Sequence, residues 1–342
     1  MKGVRVAALA LAAMLSTTIA ATTAAPLRAG AASGGADVAS ETPRAGFAVG
    51  VRVLRYVDAT RLARPRGGRA VARTLPVVLR YPASGEPGER DLFDAAPVAR
   101  HGAPGGSPTS PHGQFPLVVF AHGFATTPAI YARLLRAWAR AGYVVAAPVF
   151  PLERAGAPGG PDESDLVNEP GDISFVISRL LAASAKSGSP LSGLIDPAHI
   201  AVAGQSDGAI AALAAAYATR LHDPRVRAAI VMSGAEMSGI GGYSFGAGTP
   251  ALLAMQGTAD TSNEPRYTYA YFDAAARPKY LLRLLGAGHL PPYTSEQQQL
   301  GIVEGTSIAF LDDYLRGESR AAARLGAIAA RIPGIASLTA RP

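Results

Sequence analysis

From residue 116 onward, short apolar runs alternate with segments of helical periodicity, and this alternation limits the possible folds more than any other feature. The apolar runs lie at 116–123, 143–151, 199–204, 228–234, 250–257 and 279–286. Between two of them, one helix face carries the apolar residues Ile173, Val176, Ile177, Leu180 and Leu181. Apolar runs of this length are typical of strands buried on both faces, as in parallel sheets. The alternation therefore predicts an α/β fold, with a mostly parallel central sheet and helices on both faces.

A single domain from residue 46 to residue 342 accounts for this pattern. Residues 46–57 and 73–82 are rich in β-branched and aromatic residues and predict two further strands. Residues 83–115 are rich in Pro, Gly and Ser, a composition that cannot bury a core, and they predict an exposed loop. Residues 153–170 are also typical of a loop. The chain contains no internal repeat.

Two segments, GQSDG at 204–208 and GYSFG at 242–246, match the G-x-S-x-G pattern of serine nucleophiles. The chain has 38 glycines, so the pattern alone is weak and the flanking segments must decide. Ser206 follows an apolar strand and opens an alanine-rich helix, as a nucleophile on a strand-to-helix turn requires. Ser244 lies among glycines with a strand after it, which is typical of a flexible loop. Ser206 is therefore the predicted nucleophile.

A serine nucleophile needs a base, and with this kind of turn the order along the chain is serine, acid, histidine. Two histidines follow Ser206. His222 lies at the far end of the helix that Ser206 opens, about 24 Å away at 1.5 Å per residue. His289 follows the last apolar run, so it lies at the sheet edge where Ser206 lies. His289 is therefore the predicted base.

The acid should lie between the serine and the histidine, and two candidates remain at strand ends. Asp260 follows the run at 250–257 after a short turn, and Glu236 follows the run at 228–234. The short connection favours Asp260, whose role would be to hold the histidine tautomer and to stabilise the imidazolium. Glu236 stays open as the alternative.

An oxyanion hole requires two backbone N–H donors. One expected donor is Asp207, the residue after the nucleophile, and the other is Phe124 in the AHGF segment. The Asp207 carboxylate suits the first turn of a helix, but it also places negative charge beside the expected oxyanion. The loop 233–248 leaves the same sheet edge, and its aromatic residues Tyr243 and Phe245 are predicted to line an acyl pocket together with Phe124.

The segments AHGF, GQSDG, GTAD and GAGHL each follow a predicted strand, and together they resemble the α/β-hydrolase fold. Over residues 46–316 the chain is similar to secreted bacterial esterases of the dienelactone hydrolase, platelet-activating-factor acetylhydrolase and cutinase-like polyester hydrolase group. The resemblance implies a lipase-like serine esterase with a triad and two oxyanion donors. These residues are Ser206, Asp260, His289, Phe124 and Asp207.

The chain also departs from these families. Dienelactone hydrolases use a cysteine nucleophile, and this chain has no cysteine. Polyester hydrolases carry a methionine after the nucleophile and a tryptophan near the pocket, whereas Asp207 follows Ser206 here and Trp138 lies on a predicted helix. We therefore expect hydrolysis of small-molecule or lipid esters through an acyl-enzyme, without cofactor or metal. The alternatives are an amidase or peptidase with the same machinery, or a non-catalytic binding protein of this fold.

Residues 1–31 are typical of a secretion signal. A cationic start with Lys2 and Arg5 precedes an apolar stretch, and AGA at 29–31 fits the cleavage site. Residues 32–45 are small and polar and predict a flexible leader. An uncleaved membrane anchor is the alternative interpretation. The formal charge of +7 comes mostly from scattered arginines, which is typical of a soluble basic surface rather than of nucleic-acid binding. We expect a secreted protein; the sequence leaves its oligomeric state open.

Overall fold

In the described residues, ten strands form one mixed sheet whose six central strands run parallel. A computed structural model describes residues 46–98, 114–318 and 321–342. The strands are β1 (Ala48–Ala63), β2 (Val71–Ala83), β3 (Leu92–Phe93), β4 (Phe115–Ala121), β5 (Val144–Pro148), β6 (Ile195–Gln205), β7 (Val226–Met232), β8 (Ala251–Gly257), β9 (Lys279–Leu284) and β10 (Ala336–Arg341). Their order is β10-β9-β8-β7-β6-β4-β5-β2-β1-β3. The outer pairs β1–β2, β2–β5 and β9–β10 are antiparallel.

The described part of the chain contains seven α-helices, which cover both faces of the sheet. They are α1 (Ala132–Arg140), α2 (Glu169–Ala185), α3 (Asp207–Tyr217), α4 (Pro265–Ala274), α5 (Pro291–Thr294), α6 (Gln297–Arg316) and α7 (Ala321–Ala329). One apolar layer packs α2, α3 and α4 against the sheet, and another packs α1, α6 and α7 against the opposite face. This is the arrangement that the alternation of strands and helices predicts. None of the helices in the described residues has both the length and the apolar content needed to cross a membrane.

The central strands are apolar on both sides because each side faces a helix layer. Every residue of β4 and β8 is buried. On β4, Leu117 and Val119 pack in the α2–α3 layer, and Val118 and Phe120 pack in the α1–α6 layer. Burial of each such side chain stabilises the fold by about 1.5–3 kcal/mol. The sheet is thus a rigid scaffold for the loops at its carboxyl-terminal edge, which follow β4, β6, β8 and β9.

Four segments differ from the sequence prediction or fall outside the described residues. Residues 153–170, predicted as a loop, contain a 3-10 helix at Glu163–Asn168 and the start of α2. The sequence does not predict β10, because a strand that pairs with one neighbour at the sheet edge needs no long apolar run. The predicted loop at 83–115 contains the short strand β3. Its residues 99–113, and the predicted signal and leader at 1–45, lie outside the described residues.

A buried arginine fastens the start of α2 to the sheet. The Arg73 guanidinium on β2 donates two hydrogen bonds to Asp165, at 2.9 and 2.7 Å, and three to Asp172, at 2.6–2.9 Å. All three side chains are buried. Although burial opposes it, the two carboxylates raise the pKa of Arg73, so the arginine stays charged. This ion cluster holds the first turn of α2, where Glu169 lies, at a fixed position.

Candidate active site

Ser206 lies on a strained turn between β6 and α3. Its backbone has a φ of 58° and a ψ of −124°, which residues other than glycine rarely adopt. The turn is tight because α3 packs against the end of β4. A Cβ on Gly208 would lie 2.2 Å from the carbonyl oxygen of Ala121, so only glycine fits there. The turn places the Ser206 hydroxyl at the carboxyl-terminal edge of the sheet.

Ser206, His289 and Asp260 are joined by two hydrogen bonds. His289 Nε2 lies 2.8 Å from Ser206 Oγ, and His289 Nδ1 lies 2.8 Å from Asp260 Oδ2. The three side chains come from the ends of β6, β8 and β9. The structure thus brings together the three residues that the sequence analysis selects as a candidate triad.

Hydrogen bonds to both oxygens fix the Asp260 carboxylate. Oδ1 accepts the backbone N–H groups of Ser262 at 2.9 Å and Asn263 at 3.0 Å, and Oδ2 accepts from Gln256 Nε2 at 3.2 Å. Burial acts to raise the pKa of Asp260, but the hydrogen bonds, first of all the one with His289, hold the pKa below its usual value. An ionised carboxylate at Oδ2 keeps the imidazole proton on Nδ1, so Nε2 is the acceptor for the nucleophile's proton.

Gln205, next to the nucleophile, links three segments of the site. Its Nε2 donates to the carbonyl oxygen of His289 at 3.0 Å, and its Oε1 accepts the Tyr131 hydroxyl at 2.7 Å. The Tyr131 oxygen also accepts the N–H of Gly123 at 3.4 Å. Sequence reasoning misses this network. The position of Gln205 inside GQSDG is a signal that could have found it, whereas Tyr131 gives none because its partners are remote in the chain.

The loop after β4, residues 122–126, lies against the nucleophile and is called the oxyanion loop below. A Cβ on Gly123 would lie 3.1 Å from the Cβ of Ser206. Within the described residues, neither the Phe124 N–H nor the Asp207 N–H has an acceptor. Asp207 is the first residue of α3, where N–H groups find no acceptor inside the helix. Both donors expected from the sequence are therefore available to bind an oxyanion.

A neutral histidine fixes the start of the oxyanion loop. His122 Nε2 accepts the N–H of Phe150 at 3.1 Å, so its proton lies on Nδ1, which donates to the carbonyl oxygen of Gly123 at 3.0 Å. Burial lowers the pKa of His122 to about 4, so the ring is uncharged at neutral pH. The Ala125 N–H donates to the carbonyl oxygen of Glu153 at 2.8 Å. The Ala155 N–H donates to the carbonyl oxygen of Thr126 at 3.0 Å, so the loop is tied at three points to the segment that follows β5.

The Asp207 side chain is 8% exposed and lies near other acids. Burial and the nearby charge of Glu163 raise the pKa of Asp207 to about 6, while His289 acts in the opposite direction. One of its carboxyl oxygens has no hydrogen-bond partner among the described residues. The carboxyl of Asp207 therefore keeps a proton to a higher pH than an exposed aspartate does, which weakens the negative charge that the sequence places beside the expected oxyanion.

Tyr243 and Phe245 lie at the opposite end of α3 from Ser206. The Phe245 ring packs on Tyr217, the last residue of the helix, with centroids 5.2 Å apart, and Tyr243 stacks on Phe245 at 5.5 Å. An α-helix of 11 residues is about 16 Å long. The loop after β7 must return to the other sheet edge to start a parallel strand, and both rings lie on its returning part. The structure therefore does not bring them to the nucleophile, whereas Phe124 stays beside it.

The alternative candidates do not contact the triad. Glu236 is exposed and makes no hydrogen bond with His289 in the described chain. His222 Nδ1 contacts the carbonyl oxygen of Ala218, near the far end of α3, at 3.0 Å. Across the described residues, no group of three or more His, Asp or Glu side chains is arranged to bind a metal ion.

Comparisons with known proteins identify the fold. A family model described as chlorophyllase, an α/β-hydrolase family, matches residues 106–233, which include Ser206 and end before Asp260 and His289. A solved ferulic acid esterase from Streptomyces cinnamoneus is 22% identical, with a TM-score of 0.57 over 82% of this chain and 93% of that chain. A search of curated proteins gives no match. The predicted α/β-hydrolase fold is therefore confirmed.

Proposed function

We propose that this protein is a serine hydrolase that cleaves carboxylic esters through an acyl-enzyme on Ser206. One observation carries the proposal: two contacts of 2.8 Å join Ser206 to His289 and His289 to Asp260. A serine hydroxyl is a poor nucleophile unless a base in hydrogen-bond contact takes its proton. The base in turn needs an acid partner to hold the correct tautomer. Both requirements are met by atoms already within hydrogen-bond distance.

In the first half of the reaction, Ser206 Oγ bonds to the ester carbonyl carbon while its proton passes to His289 Nε2. The carbonyl oxygen takes up the electron pair, and the N–H groups of Phe124 and Asp207 bind the resulting oxyanion. When the tetrahedral intermediate collapses, the bond to the alcohol oxygen breaks and His289 gives the proton to that oxygen. Asp260 stabilises the imidazolium between the two proton transfers.

In the second half, water hydrolyses the acyl-enzyme. His289 takes a proton from the water molecule as the water oxygen bonds to the acyl carbon. The second tetrahedral intermediate collapses with cleavage of the bond to Ser206 Oγ, which recovers its proton from His289. The carboxylic acid leaves and the enzyme is restored. These steps use side chains and backbone groups of the chain and need neither cofactor nor metal ion.

The comparisons support esters rather than amides as the substrates. The solved structure that matches 82% of this chain is named as an esterase. The Phe124 ring, which is 39% exposed beside the nucleophile, supports an apolar group on the substrate. We therefore propose neutral esters of small molecules or lipids as the substrate class, with Phe124 in contact with the substrate.

Labelling with a fluorophosphonate, which reacts with activated serines, tests the nucleophile. We expect labelling of the wild type and of the control Ser244→Ala, and no labelling of Ser206→Ala. Ser206→Ala should also lose p-nitrophenyl ester hydrolysis by on the order of 10⁴-fold or more, because members of a triad act as a unit. A labelled Ser206→Ala variant, or an unlabelled wild type, would contradict the assignment.

Chromogenic substrates of graded length define the substrate class. We expect p-nitrophenyl esters to be hydrolysed, and the p-nitroanilides with the same acyl groups to react far more slowly. The change of kcat/KM with acyl length then gives the size of the acyl site. Faster turnover of the anilides would instead identify an amidase or peptidase.

We also propose that the protein is secreted, because residues 1–31 combine a cationic start, an apolar stretch and a small-residue site at 29–31. Expression of the full chain in a bacterium, followed by mass spectrometry of the protein in the medium, measures the mature N-terminus. We expect it at or before residue 32. A full-length chain that stays with the cells would contradict secretion.

A further inference from the structure

Two buried glutamates lie next to the oxyanion loop. Glu153 follows β5 and Glu169 is the first residue of α2, and both side chains are fully buried. Their carboxyl groups lie close enough to act on each other, and the carboxyl of Asp207 acts on both. These three side chains are called the carboxyl cluster below.

Ionised carboxylates have only acceptor atoms, so Glu153 and Glu169 can hydrogen-bond each other only if one of them carries a proton. Among the described residues, none of the four carboxyl oxygens of the pair has a hydrogen-bond partner, so no donor from outside the pair stabilises an ionised form. Burial raises the pKa of both groups, and the charge of Asp207 raises it further. The pair therefore holds a proton at neutral pH.

The surrounding charges do not favour ionisation of the pair. Arg73 forms its hydrogen bonds with Asp165 and Asp172, and Arg61 pairs with Asp172. Of the described ion pairs, none includes a member of the carboxyl cluster. The other titratable groups that face the cluster are Glu163, Asp165, Asp172, Tyr131 and His289. Three of these are acids, so their field opposes a further negative charge.

The carboxyl cluster adjoins both expected oxyanion donors. The carbonyl oxygen of Glu153 accepts the N–H of Ala125, the residue after Phe124, at 2.8 Å. Asp207 supplies the second donor from its backbone and is itself a member of the cluster. Charges in a buried region are screened much less than charges at the surface. A negative charge added to the cluster therefore acts directly on the place where the oxyanion would form.

We propose that Glu153 and Glu169 are positioning residues for the proposed ester hydrolysis: their shared proton holds the oxyanion loop against α2 and limits the negative charge beside the oxyanion. The inference rests on the proposed function. When the pair loses its proton, the hydrogen bond is lost and the two carboxylates repel each other. We expect kcat to fall by on the order of 10²-fold, the scale of losing one oxyanion donor, while KM changes little.

The direction of this pH effect follows from the raised pKa of the pair. A carboxyl whose pKa is raised keeps its proton at neutral pH and loses it only as the pH rises. The fall of kcat is therefore expected on the alkaline side. Deprotonation of a catalytic base has the opposite effect, because the base must be neutral to accept the serine proton. An alkaline fall thus reports on the pair and not on His289.

The first test measures kcat and KM for p-nitrophenyl acetate from neutral to alkaline pH, with Ser206→Ala as the blank for spontaneous hydrolysis. The double variant Glu153→Gln/Glu169→Gln carries two amides that can hydrogen-bond each other and cannot ionise. We expect it to keep the wild-type kcat at neutral pH and to lose the alkaline fall. The control Glu86→Gln removes one exposed carboxylate and should keep the wild-type profile. Activity must recover on return to neutral pH, which separates the effect from unfolding.

An alkaline fall of the same size in the wild type and the double variant overturns the proposal, as does a wild type with no alkaline fall. A second measurement uses the wild type alone, so it also decides the question if the double variant fails to fold. Difference infrared spectroscopy with isotope-labelled glutamate follows the C=O stretch of a protonated carboxyl. We expect this band at neutral pH and its loss over the pH range in which kcat falls.

The absence of that band at neutral pH overturns the shared proton and the proposal with it. The shared proton and the proposed function can also be tested separately. A protein that hydrolyses no ester and is not labelled by a fluorophosphonate, but still shows the band, would overturn the proposed function and the positioning role. It would leave the shared proton of Glu153 and Glu169 in place.

Discussion

The substitution Asp260→Asn tests the triad through the orientation of a single amide. Asp260 Oδ1 accepts two backbone N–H groups, from Ser262 and Asn263, at 2.9 and 3.0 Å. In the variant, the amide oxygen must occupy this position, because an NH₂ group there would face two donors. The NH₂ group then takes the place of Oδ2 and faces His289 Nδ1 and Gln256 Nε2. It can form a hydrogen bond with the histidine only if Nδ1 has lost its proton.

The variant therefore moves the imidazole proton to Nε2, which can no longer accept a proton from Ser206. We expect kcat to fall by on the order of 10⁴-fold, the loss associated with the wrong histidine tautomer. This corresponds to about 5 kcal/mol, at 1.36 kcal/mol for each factor of ten. KM for p-nitrophenyl acetate should change little, because Asp260 is buried. Nitrogen-15 NMR of His289 measures the tautomer directly.

Glu236→Gln is the matched control, since it makes the same chemical change at the exposed alternative acid. Exposed substitutions usually change free energies by less than about 0.5 kcal/mol, so this variant should keep activity within about threefold. The role of Asp260 as the acid is refuted if Asp260→Asn keeps more than about a tenth of the wild-type kcat, or if Glu236→Gln loses more activity than Asp260→Asn does.

Three further predictions concern the interior and the loop after β7. Arg73→Met leaves the buried Asp165 without a cation and leaves Asp172 with Arg61 alone. Urea denaturation should show that the free energy of unfolding falls by about 3–5 kcal/mol, and this loss should shrink in acid, where protonation removes the unpaired charge. Gly208→Ala should lower the free energy of unfolding by about 1–3 kcal/mol or prevent folding. The control Gly301→Ala lies in open space on α6, so it should leave the free energy of unfolding unchanged or raise it slightly. Tyr243→Ala/Phe245→Ala should lower the melting temperature and leave the selectivity among p-nitrophenyl esters unchanged; a KM increase confined to long esters would place these rings at the acyl site.

The sequence predicts those parts of the site whose positions follow from strand ends. Ser206, Asp260 and His289 each follow an apolar run, and the carboxyl ends of parallel strands share one sheet edge. Chain order and the short connections after these strands then favour the three residues, with Glu236 left open as the alternative acid. Phe124 is found in the same way, because it follows β4 directly. For these residues, no knowledge of side-chain packing is needed.

The remaining features depend on contacts that chain order does not reveal. Glu153 and Glu169 stand in a polar segment that predicts a loop, but both are buried. Arg73, which is remote along the chain, fastens that segment to the sheet at Asp165. The acyl-pocket prediction for Tyr243 and Phe245 treats the whole loop after β7 as belonging to one sheet edge. A loop between two parallel strands visits both edges, and these aromatic residues lie on the part at the far edge.

The Gln205 amide has a consequence for the kinetics of folding. It bonds to Tyr131 and His289, which lie 74 and 84 residues away along the chain. Contacts between such distant segments form late, because the entropy of closing a long loop must be overcome before the contact contributes. The histidine and the oxyanion loop therefore reach their final positions only when the strands that carry them have paired. In a refolding experiment, the return of activity should lag behind the return of the helical circular dichroism signal. The rate at which activity returns would then measure how fast the strands of the sheet pair.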